Sequence, residues 1–188
     1  MGAALAVEPP LAAPVVDDQA LIAATLAGRP EAFGELVTRY ERAVYNLAVR
    51  TLRDRTEAED AAQEAFLKAY RALGSFRPGA KFSTWIFTIC YRGCCDRLAK
   101  RKRLSGEELP DRADTAAGPE LLAVRNDDAA RLRAAIDALP EKYRAVITLY
   151  HLQGKQYEDI ATVLNLPLGT VKTHLFRAKE QLRKVLSA

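Results

Sequence analysis

The chain of 188 residues has few of the side chains that metal centres need. It contains three cysteines, Cys90, Cys94 and Cys95, and two histidines, His151 and His174. An odd number of closely spaced cysteines does not form a disulfide framework and favours a reducing cytosol. Zinc would need a fourth ligand, and neither histidine lies at a paired-ligand spacing. We therefore expect no metal site and cysteines packed in a core, with a redox-sensitive thiol as the alternative.

Motifs of enzyme chemistry are also missing. Gly154-Lys155 lacks the upstream glycine of a phosphate-binding loop, and Gln156 replaces the hydroxyl that would bind a metal ion. There is no H-E-x-x-H or G-x-S-x-G motif, and no histidine lies near the cysteines to activate a thiolate. We expect a protein without enzymatic activity and without a cofactor.

Long apolar runs are absent too. No stretch of about 18 apolar residues occurs, so the chain is not expected to enter a membrane. Residues 1–16 contain no Lys or Arg, which argues against a signal peptide, and Ala6 stands where myristoylation at Gly2 would favour Ser or Thr. We interpret residues 1–16 as a disordered leader of a cytoplasmic protein.

The charge is distributed unevenly along the chain. The net charge is only +4, but Arg97 to Arg103 holds five cationic residues in seven. Leu104 to Val124 follows with five acidic residues and one arginine. This pattern is typical of a nucleic-acid-binding surface next to a segment that avoids or mimics nucleic acid. Glycine and proline among the acidic residues predict a flexible linker over residues 105–124.

Apolar residues recur at helical spacing on both sides of this linker, and no convincing alternating strand pattern occurs. The sequence therefore predicts an all-α protein with two small helical domains, 17–104 and 125–188. In the first domain, Pro30 opens a helix, and Thr56 to Glu59 fits a capping box for the next helix, which stops at Gly74. The buried side of that next helix is expected to comprise Ala62, Ala65, Phe66, Ala69, Tyr70 and Leu73. In the second part of the chain, a helix from about Glu120 to Leu139 precedes one opened by Pro140 that reaches Tyr150.

The segment from Tyr157 to Lys179 has the pattern of a helix-turn-helix. Asn165 tolerates the left-handed backbone of a helix exit, and Pro167 suits the entry to a second helix. The second helix has an apolar stripe of Val171, Leu175, Ala178 and Leu182. Its remaining faces carry Thr170, Lys172, Thr173, His174, Arg177 and Lys179. Such a helix can place its first turns in the major groove of DNA, although a plain helical hairpin with a solvated basic face would show a similar pattern.

Two further groups lie in the first domain. Phe76, Phe82 and Trp85 alternate with basic residues, and aromatic faces next to cations suit single-stranded nucleic acid. Trp85 lies in phase with the apolar residue Ile86 of the same helix, which favours a role in the core. For Phe76, stacking on a base and packing in the core are equally compatible with the pattern. Earlier in the chain, Asp60, Gln63 and Glu64 fall on one helix face close to Phe66 and Lys68. Acidic residues in a first helical turn favour a solvated or partner-binding face over an acid/base pair.

The ordered motifs resemble one family, the bacterial extracytoplasmic-function sigma factors. The resemblance spans about Asp17 to Ala188. Its specific parts are Ala58-Glu59-Asp60-Ala61-Ala62-Gln63-Glu64-Ala65-Phe66, Phe82-Ser83-Thr84-Trp85-Ile86-Phe87, Asp96-Arg97-Leu98, Leu139-Pro140 and Leu166-Pro167-Leu168-Gly169-Thr170-Val171-Lys172-Thr173.

The resemblance implies a sigma factor that binds core RNA polymerase, through its β′ and β subunits, and directs promoter recognition and opening. The first domain would correspond to sigma region 2 and the second to sigma region 4, and the linker would pass through polymerase channels. The surface that docks on the β′ clamp helices would include Asp60, Gln63, Glu64 and Phe66. The melted minus-ten element would be read by Phe76, Lys81, Phe82, Ser83, Thr84, Trp85, Arg92 and Arg97. The minus-thirty-five element would be read by Thr170, Lys172, Thr173, His174 and Arg177.

The resemblance also implies a cognate anti-sigma factor. Two residues depart from the family pattern: Arg92 stands where Asn is frequent, and His174 stands where Arg is common. The alternative function is a stand-alone helix-turn-helix regulator of duplex DNA, which would not need the Asp60, Gln63 and Glu64 face. A nucleotide-dependent enzyme is a more distant alternative, because its phosphate loop is missing.

Overall fold

The computed structural model describes residues 17–105 and 127–186, and within these ranges all regular secondary structure is helical. The first domain contains α1 (Asp18–Leu26), α2 (Glu31–Leu52), α3 (Arg55–Ala72), a 3-10 turn (Leu73–Ser75) and α4 (Phe82–Ser105). The second contains α5 (Asp127–Asp137), α6 (Glu141–Ile147), a π-helical turn (Thr148–Leu152), α7 (Tyr157–Leu164) and α8 (Leu168–Leu186). The predicted all-α fold is confirmed. The predicted leader over residues 1–16 and nearly all of the predicted linker lie outside the described residues.

The first domain is a three-helix packing of α2, α3 and α4, with α1 laid across α2. Leu36, Val44 and Leu47 of α2 are fully buried, as are Phe82 and Ile86 of α4, and all belong to the core where the two helices pack. Their spacing gives α2 one continuous apolar face, and the burial of that face holds the three helices together. Among the described helices, none is long and apolar enough to cross a membrane.

The boundaries of α3 differ from the sequence prediction. The helix begins at Arg55, because the Asp54 carboxylate accepts a hydrogen bond from the Glu57 amide at 2.8 Å and so caps the helix before the predicted box. The prediction that Tyr70 is buried was wrong, since 46% of its surface is exposed. The α-helix ends at Ala72, and a 3-10 turn carries the chain past Gly74.

The second domain contains the predicted helix-turn-helix. Asn165 adopts the left-handed backbone with φ of 53°, and the Pro167 carbonyl accepts from the amides of Thr170 and Val171 in the first turn of α8. The predicted stripe of α8 is fully formed, because Val171, Leu175, Ala178 and Leu182 are all buried. The helix opened by Pro140 is α-helical only to Ile147 and continues as a π turn.

Cysteine packing agrees with the sequence prediction. Cys90 and Cys94 are buried in the core beneath α2, and Cys95 is half-buried. A hydrogen bond with Cys94, together with burial, raises the pKa of the Cys90 thiol. Within residues 17–105 and 127–186, no group of three or more potential ligands could hold a metal ion.

The two domains lie against each other. Helix α7 packs on α4, and α6 packs on α2. The buried Arg144 guanidinium donates to the Arg50 carbonyl at 2.7 Å, and the Arg50 side chain pairs with Asp137. The second domain is thereby held across the end of α2 and the start of α4.

Candidate nucleic-acid and polymerase interfaces

An aromatic cluster forms where the loop after α3 meets the start of α4. The Phe76 ring lies 5.1 Å from Trp85 and 6.1 Å from Phe82, measured between ring centroids, and Tyr40 supports Phe82 from beneath at 5.5 Å. Phe82 has no exposed surface, whereas Phe76 and Trp85 are only partly buried. Phe82 therefore supports the cluster from inside, and only Phe76 and Trp85 have surface that could meet a base.

Three polar residues of the predicted minus-ten set surround this cluster, and the second domain contacts each of them. Lys81 Nζ lies 2.7 Å from one Asp159 oxygen, and Thr84 Oγ1 donates to the other at 3.1 Å. The Lys155 ammonium donates to Ser83 Oγ. Burial alone would raise the pKa of Asp159, but the hydrogen bonds from Lys81 and Thr84 hold it below its usual value. Asp159 is thus a carboxylate anion that pairs with two residues of the predicted minus-ten set.

The two arginines of the predicted minus-ten set have different surroundings. Arg92 is exposed on α4, while Arg97 Nη2 lies 2.6 Å from the Glu64 carboxylate on α3. Glu64 also pairs with Lys68 at 2.8 Å, and the hydrogen bonds from Lys68 and then Arg97 lower its pKa. Glu64 and Arg97, which sequence analysis assigned to different surfaces, are partners of each other in this structure.

An open groove of about 740 Å³ runs between α2 and α3. Gln63, Phe66, Leu67 and Tyr70 line its α3 side, and Leu67 is 56% exposed. Phe66 is almost wholly buried in the floor, while Asp60 and Gln63 are exposed. Sequence analysis missed Leu67 and misplaced Tyr70 in the core. The spacing of residues 63, 66, 67 and 70 could have revealed this face, because it is that of one side of a helix.

The residues of the predicted minus-thirty-five set lie near the start of α8. Lys172, Thr173 and Arg177 are exposed, and Thr170 and His174 are half-buried. Sequence analysis missed Phe176, which is 70% exposed between them. An exposed aromatic residue on a polar helix face is the signal that could have identified it.

The environment of His174 favours its neutral form. Its ring packs edge-on against Tyr143 at 5.4 Å, and its Nδ1 is buried without a hydrogen-bond partner. Burial, followed by the positive charges of Lys142 and Arg177, lowers the pKa of His174. The residue is therefore a neutral imidazole near neutral pH and cannot supply the charge that an arginine would.

Both halves of the chain match known families. The Sigma-70 region 2 family matches residues 36–104, and the Sigma-70 region 4 family matches residues 129–182. The RNA polymerase sigma-H factor of Pseudomonas aeruginosa is 38% identical over 184 residues, which cover 90% of this chain and 93% of that protein. The ECF RNA polymerase sigma factor SigW of Bacillus subtilis is 37% identical, over 85% of this chain and 91% of that protein.

Solved structures show the same fold. CnrH, in complex with the cytosolic domain of CnrY, superimposes with a TM-score of 0.66 at 27% identity, over 90% of this chain and 97% of that chain. The sigma factor RpoE from Bartonella quintana, in complex with the anti-sigma factor NepR, has a TM-score of 0.66 at 24% identity, over 83% of this chain and 97% of that chain.

Proposed function

This chain belongs to the extracytoplasmic-function sigma factors of bacterial RNA polymerase, and we propose that its two domains divide promoter recognition between them as follows. As a sigma factor, it directs core polymerase to promoters for transcription initiation. The match of residues 36–104 to region 2 disfavours the stand-alone regulator, because such a protein needs only the helix-turn-helix.

Helix α8 reads the minus-thirty-five element as duplex DNA. The support is the exposure of Lys172, Thr173 and Arg177 near the start of a helix whose opposite stripe is buried. Lys172 and Arg177 neutralise phosphates, while Thr173 and Phe176 face base edges. The neutral His174 contributes shape and hydrogen bonding rather than charge. The protein therefore obtains less electrostatic affinity at this position than a relative with arginine would.

The minus-ten element is read as a single strand at the start of α4. Unstacking a base costs roughly a few kcal/mol, and stacking on an aromatic ring recovers about 1–3 kcal/mol per base. Phe76 and Trp85 supply the ring surface, and the buried Phe82 holds both in place. Lys81, Ser83, Thr84 and Arg92 hold the backbone. Because Arg97 is paired with Glu64, it acts by fixing α4 on α3 unless that pair opens.

Core polymerase docks on α3. The exposed Asp60 and Gln63 and the groove beside them combine charge with apolar surface, which suits an amphipathic helix of the β′ subunit. Leu67 and Tyr70 provide exposed apolar contact area that Phe66, lying in the floor, cannot provide alone. The protein acts in the cytoplasm, where core polymerase works, and has no enzymatic activity of its own.

A cognate anti-sigma factor regulates this protein. The support comes from RpoE of Bartonella quintana, which was solved with the anti-sigma factor NepR. A pull-down with the tagged full chain from its own cells would identify this partner.

The decisive test is transcription in vitro with purified core polymerase on a genomic fragment library, with and without this protein. New discrete start sites that depend on the protein are expected, and their upstream sequences would give both promoter elements. Tight duplex binding without new start sites would contradict the proposal and favour a stand-alone regulator.

A further inference from the structure

The first turn of α7 lies against the first turn of α4 through a polar contact. The Asp159 carboxylate accepts hydrogen bonds from Lys81 and Thr84, and the Lys155 ammonium donates one to Ser83. Lys155 Nζ also lies 5.1 Å from the centre of the Phe87 ring. Five polar side chains from two domains therefore satisfy one another at the edge of the aromatic cluster.

The chemistry of this contact resembles that of a nucleic-acid backbone. A phosphate presents anionic oxygens that accept hydrogen bonds from ammonium and hydroxyl groups. The Asp159 carboxylate does the same, with one oxygen on Lys81 Nζ at 2.7 Å and the other on Thr84 Oγ1 at 3.1 Å. The Thr84 hydroxyl has a single proton to donate, so a DNA strand and Asp159 cannot both accept from it, and they compete for the Lys81 ammonium beside it.

Polar residues of α8 remain exposed in this arrangement. Lys172, Thr173 and Arg177 on α8 are exposed while α7 covers α4. A second polar contact, between Asp137 and Arg50, holds the domains together at the end of α2. The packed arrangement thus covers only one of the two DNA-reading surfaces.

We propose that the second domain is an intramolecular competitor for the minus-ten strand, with Asp159 as the group that occupies the phosphate position. This inference rests on the proposed assignment of α4 to minus-ten DNA. In the free protein the domains are closed, so the protein reads duplex minus-thirty-five DNA but not single-stranded minus-ten DNA. Binding of the minus-ten strand requires α7 to leave α4.

The test compares Asp159→Asn with Glu158→Gln in the full chain. Both carboxylates lie in the first turn of α7, so both changes remove one negative charge from the same helix end. Asp159 hydrogen-bonds to Lys81 and Thr84 of the first domain, whereas Glu158 is exposed. Asp137→Asn tests the second contact in the same way.

Two measurements are made on each free protein. Small-angle X-ray scattering gives the radius of gyration, and fluorescence anisotropy gives the affinity for a labelled single strand carrying the minus-ten element mapped by transcription in vitro. If only the open arrangement of the domains binds the strand and this arrangement is rare, the apparent affinity is proportional to the open fraction. Loss of one interdomain ion pair should raise that fraction and so strengthen strand binding roughly fivefold. We expect this gain and a larger radius for Asp159→Asn, a smaller gain for Asp137→Asn, and no change for Glu158→Gln.

The outcomes separate the inference from the proposed function. If Asp159→Asn keeps the wild-type radius, or opens without a gain in strand binding, the competitor role is refuted while the transcription result stands. An equal gain for Glu158→Gln would also refute it, because the effect would then be general electrostatics. If the polymerase complex of the wild-type protein starts no transcription, the proposed function itself fails.

Discussion

Arg144 gives the sharpest prediction about how the two domains are held. The residue is 3% exposed, and its guanidinium donates to three carbonyls: Arg50 at 2.7 Å, Leu139 at 2.7 Å and Asp137 at 3.1 Å. Those of Arg50 and Asp137 lie at the C-terminal ends of α2 and α5, where helical carbonyls lack partners within the helix. One cation therefore satisfies groups from both domains.

The predicted change is Arg144→Met, which keeps the length of the side chain and removes its donors. A hydrogen bond from a charged group contributes about 1.5–3 kcal/mol. Two of the three hydrogen bonds come from the same nitrogen, Nη1, and are therefore weaker than two separate bonds. The expected loss of unfolding free energy is about 3 kcal/mol. With a urea dependence of about 2 kcal/mol per molar, the midpoint should fall by roughly 1.5 M. Arg144→Lys should lose about half as much, because an ammonium cannot reach all three carbonyls.

Urea unfolding followed by circular dichroism measures this change, with Arg133→Met on the exposed side of α5 as the matched control. The control should shift the midpoint by less than about 0.3 M. If Arg144→Met shifted it no more than the control, the three carbonyls would be satisfied by other donors instead, which are water or, for Asp137, the Arg53 guanidinium, whose Nη2 lies 3.0 Å from that carbonyl. The account of Arg144 as a link between the domains would then be wrong.

Four further predictions follow from the described residues. Arg177→Ala should weaken binding to minus-thirty-five duplex and reduce its salt slope by about one unit, whereas Arg183→Ala at the far end of α8 should not; an unchanged slope would remove Arg177 from the phosphate contacts. Asp60→Ala combined with Gln63→Ala should reduce binding to core polymerase in a pull-down at an unchanged melting temperature, and normal recovery would refute the assignment of α3. Asp54→Ala should cost about 1 kcal/mol of unfolding free energy in urea through loss of the cap, and no loss would mean that the cap is not used in solution. Burial is the main cause of the lowered pKa of His151 and His174 in the folded chain, so the unfolded chain binds protons first as the pH falls. The unfolding free energy should therefore decrease from pH 7.5 to 5.5, and changing both residues to Gln should flatten this decrease.

Local patterns were sufficient for most of the helices. The stripe of α8 and the turn at Asn165 follow from spacing and backbone preference alone, and the structure confirms both. Tyr70 could not be assigned in this way. It lies in phase with the buried face of α3, but its ring packs edge-on against Phe33 at 5.1 Å at the rim of a groove. Whether a residue in phase is buried depends on how far the neighbouring helix extends over it.

The candidate sites, too, were predictable only in part. Residue type and order indicated the aromatic group, the basic helix and the acidic face, because each chemistry needs particular side chains at particular spacings. The partners of those residues were not visible in the sequence. Arg97 pairs with Glu64 across 33 positions, and Lys81 meets Asp159 across 78.

The sequence by itself determined the all-helical class, the helix-turn-helix and the membership of the chain in the sigma factors, because these depend on local periodicity and on motifs that are continuous in the chain. Only the tertiary structure decided that Phe82 is buried, that burial lowers the pKa of His174 and that α7 covers the start of α4. Whether a side chain is exposed, charged or covered depends on groups that are distant in the sequence. Their contacts, and the burial and hydrogen bonds that result, exist only after the helices have packed.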